Sequence, residues 1–227
     1  MSTLEKIRDE VSSAVDEAQA PDVLAAAAEI QAAGRTLKEK GSLSTRGSGA
    51  FNAAVRLDAR RFVIGSLKEA IVVDFDGQQI GGPQDRSLRE VIGVYLAIFQ
   101  ERPDYNAALH THSPHLTAFA IAHKPFPIRY WSVAKRAGVD EIPLAEWAPR
   151  YSSEPVIEAI RKHPKAPAAL LKNRGLFAWG GEGIAALGAL LHSLDEAAEI
   201  QLLSERIGGA QPLPDGAIAA FVASKAG

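Results

Sequence analysis

Apolar positions along the chain recur with two different periods, and the switches between them mark out the elements. Leu4, Ile7, Val11 and Val15 repeat at helical spacing and Ser2 with Glu5 can close a capping box, so residues 1–20 are expected to form an amphipathic helix. Pro21 opens a second, Ala-rich helix to about Lys40, with Val23, Ala27, Ile30 and Leu37 inward and Gly41 ending it. The period then falls to two. Phe51, Ala53, Val55 and Leu57 alternate, and residues 61–64 and 70–75 follow as strands, with Asp76-Gly77 marking a hairpin. Helical spacing returns over residues 87–101, where Leu88, Val91, Tyr95 and Ile98 share a face. A strand leading to His110 and His112 ends at Ser113-Pro114, a hydroxyl cap with proline in the first helical position, and Lys124-Pro125-Phe126-Pro127 stops the helix that follows. Ile184, Leu187, Leu190, Leu191, Leu194 and Ala198 predict a long helix over residues 182–207. Residues 211–227, with Pro212 and Pro214, read as a tail with a last short helix. Periodicity by itself supports a mixed α and β chain and nothing narrower.

Composition narrows the classes of function more than the fold. A chain of 227 residues, 47% hydrophobic, can bury a core, and one domain is expected. The net charge of −2, with acids and bases interleaved, gives no reason to expect nucleic acid or an anionic membrane as partner. With no cysteine, disulfides and thiolate ligands are ruled out. The N-terminus is charged and lacks an apolar core, so a cytoplasmic protein is expected.

Candidate chemistry concentrates in Arg102-Pro103-Asp104 through His115. In an extended strand residues two apart project from the same face, so His110 and His112 point the same way, at a strand end where α/β enzymes commonly place their sites. Arg-Pro-Asp, a short strand, His-Thr-His-Ser and a helix together resemble the class II aldolase/adducin family. A second stretch, Leu170-Leu171-Lys172-Asn173-Arg174-Gly175 with Gly180, is similar to that family's Leu-Leu-x-Asn-His-Gly segment. The resemblance covers about residues 20–210 and implies a three-layer α/β fold, a central, mostly antiparallel sheet flanked by helices. It also implies a tetramer with sites between subunits, and His110 and His112 as ligands of a divalent metal, zinc foremost, with iron or manganese as the other candidates.

Departures from the family pattern are as informative as the matches. The family's third histidine ligand is Arg174 here, and a guanidinium offers no lone pair. Ser42 stands where the family has the asparagine of a phosphate-contacting Gly-Asn-x-Ser-x-Arg segment, while Gly41, Ser44 and Arg46 match. Residues 64–70 lack the Ser-Gly or Thr-Gly turn that helps hold phosphate. Val91 and Tyr95 fall at the positions of the family's acid/base glutamate and the histidine after it, with Glu90 one residue away, about 100° around a helix. Ile128-Arg129-Tyr130-Trp131 resembles the strand that brings the family's tyrosine to the active site, with Trp131 at the tyrosine position and Tyr130 beside it.

Three readings follow. In the first, His110 and His112 hold a metal that polarises a carbonyl or carboxylate, Glu90 or Tyr130 moves a proton, and Ser42, Ser44, Arg174 and Trp131 contact the substrate of an aldol-type or decarboxylating lyase. Arg174, whose fork matches a carboxylate, points to a small, non-phosphorylated acid rather than a sugar phosphate. The second is a two-histidine, one-carboxylate Fe(II) site of His110, His112 and Glu90. The third is a non-catalytic, adducin-like binding or structural protein.

Overall fold

A computed structural model describes residues 17–44 and 51–225. The expected first helix lies almost wholly outside them, as does Arg46. In chain order the helices are α1 (Pro21–Glu39), α2 (Arg86–Arg89), α3 (Ile92–Glu101), α4 (Pro114–Ile121), α5 (Trp131–Ala137), α6 (Glu154–Lys162), α7 (Ile184–Ser204) and α8 (Ala217–Lys225). The strands are β1 (Phe51–Arg56), β2 (Arg61–Gly65), β3 (Ala70–Asp74), β4 (Gln79–Gly81), β5 (Ala107–Thr111), β6 (Phe126–Pro127), β7 (Glu141–Ile142), β8 (Leu144–Ala145), β9 (Ala168–Leu171) and β10 (Leu176–Gly180).

Eight strands form one sheet in the order β4-β3-β2-β1-β5-β10-β9-β8, and β6 pairs with β7 apart from it. Every pairing in the large sheet is antiparallel except β8 with β9. Both of its faces are apolar because strand residues alternate between them. Ala53, Val63, Val72, Leu109, Leu170 and Ala178 face a core with α1, α4 and α7, while Ala54, Phe62, Ile71, Ala108, Ala169 and Trp179 face one with α3 and α6. The result is the expected three-layer α/β architecture, with the largely buried β5 at its centre.

Two local expectations are corrected and one element is added. The helix expected over residues 87–101 is broken at Glu90 and Val91, so α2 and α3 are separate segments. The Asp85 carboxylate caps α2 by accepting from the Leu88 amide at 3.0 Å, and Val91 is buried in the break, which lets apolar residues on both sides reach the sheet. Tyr130 and Trp131, expected on a strand, instead cap and begin α5. Helix α6 is an addition to the expected elements, although Pro155, Val156, Ala159 and Ile160 give it an apolar stripe.

Candidate functional site

Register places the centre of the site. His110 pairs with Asn52 on β1 and with Phe177 on β10, so these residues form one row across the sheet. The His110 ring stacks on Phe177 with centroids 4.6 Å apart and meets His112 edge-on at 5.1 Å. Its Nδ1 lies 2.9 Å from the Leu176 carbonyl oxygen, so in the neutral ring Nδ1–H donates and Nε2 keeps its lone pair. Behind the row, the buried Tyr95 hydroxyl donates to Asn52 Oδ1 at 2.6 Å and its ring packs on Phe177.

Arg174 arrives by a hairpin. Leu171 and Gly175 close the β9–β10 turn through backbone hydrogen bonds, with Asn173 in the left-handed region at φ 57°, which asparagine tolerates better than most residues. Gly175 crosses directly over the end of β5. A Cβ there would run into the Thr111 carbonyl oxygen and would stand 2.5 Å from His112 Cδ2. The same crossing brings the Arg174 guanidinium close enough for its charge to act on both imidazoles.

These residues line a pocket of about 530 Å³ together with Asn52, Ser66, Ser87, Arg150, Tyr151 and Ser152. No aspartate or glutamate is among its described lining residues. Burial, the neighbouring His112 and the charges of Arg174 and Arg150 push the His110 pKa down to about 3. His112 is lowered by burial first, then by the same two arginines. The His110 ring still borders the pocket, so solvent there blunts the shift that full burial would give. Both imidazoles are therefore neutral at pH 7.

The other sequence candidates are dispersed. Ser42 is 2% exposed; its Oγ lies 2.8 Å from His192 Nδ1 and its carbonyl accepts from the Ser113 hydroxyl, so it braces the segment and does not line the pocket. Ser44 donates its amide to the His112 carbonyl at 3.3 Å, adjoining the site through backbone. Glu90 sits at the break between α2 and α3, ion-paired with Arg86 at 2.8 Å, and is not among the lining residues. The Tyr151 hydroxyl and Arg86 hold its carboxyl below the ordinary value. Tyr130 and Trp131 are 47% and 40% exposed and lie outside the pocket, with Trp131 edge-on against Phe221 of α8.

Arg150 and Tyr151 are the lining residues that sequence reasoning misses. Tyr151 has an uncommon left-handed backbone, φ 70°, and such strain in a non-glycine residue often marks a functional position. Its enclosed hydroxyl leans toward Glu90 without completing a hydrogen bond of standard geometry, and burial followed by that carboxylate raises its pKa. The signal in the sequence is Arg150-Tyr151-Ser152-Ser153, polar and aromatic groups just ahead of a helix-opening Glu154-Pro155.

As to a metal, two neutral imidazoles suit a divalent ion, but among the described residues no carboxylate or further imidazole joins them. Among the described residues no group of three or more His, Cys, Asp or Glu side chains is placed to hold one, and two guanidinium charges act on the histidines. The described donor set does not fit a resident ion of the three-ligand kind. The carboxylate of a two-histidine, one-carboxylate site is lacking for the same reason, since Glu90 does not join His110 and His112.

Comparison with known proteins agrees with this architecture. A family profile described as "Class II Aldolase and Adducin N-terminal domain" matches residues 23–202. L-fuculose phosphate aldolase of Escherichia coli O6:H1 is 34% identical over 123 residues, 53% of this chain and 54% of that protein. A 3-oxo-tetronate 4-phosphate decarboxylase of Haemophilus influenzae is 31% identical over 96 residues, 38% of this chain and 43% of that one. The chain thus spans about half the length of these curated relatives, or less. Among solved structures, an L-fuculose 1-phosphate aldolase superposes with a TM-score of 0.74 at 22% identity, covering 89% of this chain and 96% of that one. The L-fuculose-1-phosphate aldolase of Thermus thermophilus gives 0.64 at 20% identity, covering 83% and 98%.

Proposed function

The chain belongs to the class II aldolase and adducin family, and from that premise we propose a lyase that cleaves a carbon–carbon bond next to a carbonyl in a small, non-phosphorylated carboxylate substrate. The observation that carries this reading is Arg174, which lines the pocket beside two neutral imidazoles and forms no ion pair among the described residues. A guanidinium in such a pocket accepts a carboxylate in bidentate fashion. It also stabilises negative charge as that charge develops on an adjacent oxygen.

Aldol-type cleavage and decarboxylation share an electronic requirement. The electrons of the breaking bond move into the carbonyl to give an enolate, whose oxygen needs a cation or hydrogen-bond donors. In this family the cation is a metal. Here Arg174, in the pocket lining, supplies positive charge at the enolate oxygen. In the aldol case, neutral His112 accepts the proton from the substrate hydroxyl as the bond breaks, leaving an aldehyde or ketone and the enolate. Tyr151, whose raised pKa keeps it protonated, donates to the enolate carbon. Decarboxylation releases carbon dioxide and needs only the second proton transfer. Glu90 acts through Tyr151, its carboxylate helping to raise the pKa of that hydroxyl.

Thermal-shift measurements with sugar phosphates, hydroxy acids, oxo acids and aromatic acids test the substrate class. Stabilisation by acids that disappears in Arg174→Ala is the expected result. Stabilisation by sugar phosphates alone would contradict it.

A further inference from the structure

The charge in the pocket exceeds what one carboxylate can neutralise. Arg174 comes from the β9–β10 hairpin and Arg150 from the segment before α6, two separate elements, yet both border one cavity and both act on His110 and on His112. Neither guanidinium has an ion-paired carboxylate among the described residues. The Glu90 carboxylate feels the Arg150 charge but is ion-paired to Arg86. The Arg150 guanidinium lies instead over the Tyr151 ring, 4.4 Å from its centroid, and a guanidinium has five N–H donors with which to bond an anion as well.

Arginine stays charged in proteins, so the described lining carries two guanidinium charges and no carboxylate. A ligand with a single anionic group leaves one guanidinium uncompensated beside a desolvated imidazole. A ligand with two such groups satisfies both. Ser66, Ser87, Ser152 and Asn52 add hydrogen-bonding groups around the rest of the molecule.

We propose that the pocket is built for a small, doubly anionic substrate, one carboxylate on Arg174 and a second anionic group on Arg150. This rests on the lyase reading for the first carboxylate and adds the second contact. The second group is a carboxylate, in keeping with a non-phosphorylated substrate, and a phosphorylated probe tests that choice. The Arg150 contact is a specificity determinant and not part of bond cleavage.

Isothermal titration of the metal-stripped full chain with malate, 3-phosphoglycerate and lactate provides the test. At least tenfold tighter binding of malate over lactate is expected. Arg150→Gln should remove that advantage while leaving lactate affinity within twofold, and Arg174→Gln should weaken both. Preference for 3-phosphoglycerate over malate overturns the dicarboxylate and, with it, the non-phosphorylated substrate class. Arg174-dependent binding of lactate with no preference for two charges, or a preference that Arg150→Gln leaves intact, overturns this inference alone. No binding of any acid overturns it together with the lyase reading.

Discussion

Two residues set the limits of the site. His110 is held neutral by its burial against Phe177 and by the adjacent positive charge, while its bond to Leu176 fixes which ring nitrogen carries the proton. Its pKa falls from an ordinary 6.5 to about 3, so the unfolded chain binds the extra proton first. The stability this contributes is complete above about pH 6.5 and is lost as pH falls toward 3. By pH 5 the loss is about 1–2 kcal/mol after allowing for pocket solvent. Denaturant titrations at pH 7.5 and pH 5 should show a drop in wild type that shrinks in His110→Gln, and identical drops would contradict the assignment. Gly175 is constrained differently. Its substitution by alanine forces β5 and the hairpin apart at His112, so a loss of about 2–4 kcal/mol is expected in equilibrium unfolding, with loss of acid binding in whatever folds. The His-x-His pair and the Asn-Arg-Gly turn were legible as residues because their local pattern is self-contained. Arg150 and Tyr151 were not, since only the tertiary fold carries that segment to the end of β5.

At the scale of elements, the helix that follows the histidines is fixed from a distance. Helix α4 begins beside the site, and the buried Asp195 of α7 accepts from the backbone amides of His115 and Leu116, both at 3.0 Å, and from the His115 ring at 3.2 Å. Ser113, which the sequence marks as the cap, makes no side-chain capping bond and donates to Ser42 instead. Asp195→Ala should cost about 1–3 kcal/mol, read as a lowered denaturation midpoint at constant slope. Asp195→Asn, which keeps the acceptor oxygen, should recover part of it. No change in either variant would show that α4 is held by packing alone. The strands and long helices were readable from their periods. The break at Glu90 and Val91 was not, because apolar spacing continues through it and only packing against the sheet decides where the chain turns.

For the whole molecule, one sheet with helices on both faces brings β5, the β9–β10 hairpin and the loop before α6 to one pocket. The sequence pointed to this architecture through family resemblance, whereas its periodicity alone supported only a mixture of helix and strand. Assembly is proposed on the same resemblance. Ile200, Leu203 and Ile207 are exposed toward the end of α7 and just beyond it, with Trp131 and Tyr130 exposed at α5, and light scattering should find a homotetramer. A monomer at micromolar concentration would contradict that assembly.

In the proposed reaction arginine charge takes over the electrostatic role that a metal has in the family. Carbon-13-labelled hydroxy and oxo acids, followed by NMR with protein stripped of metal by a chelator, test this. Cleavage or decarboxylation products should form in the chelator and fall at least a hundredfold in rate in Arg174→Gln, about 3 kcal/mol of lost stabilisation. Products that appear only when a divalent ion is restored, or that form equally well without Arg174, would contradict it.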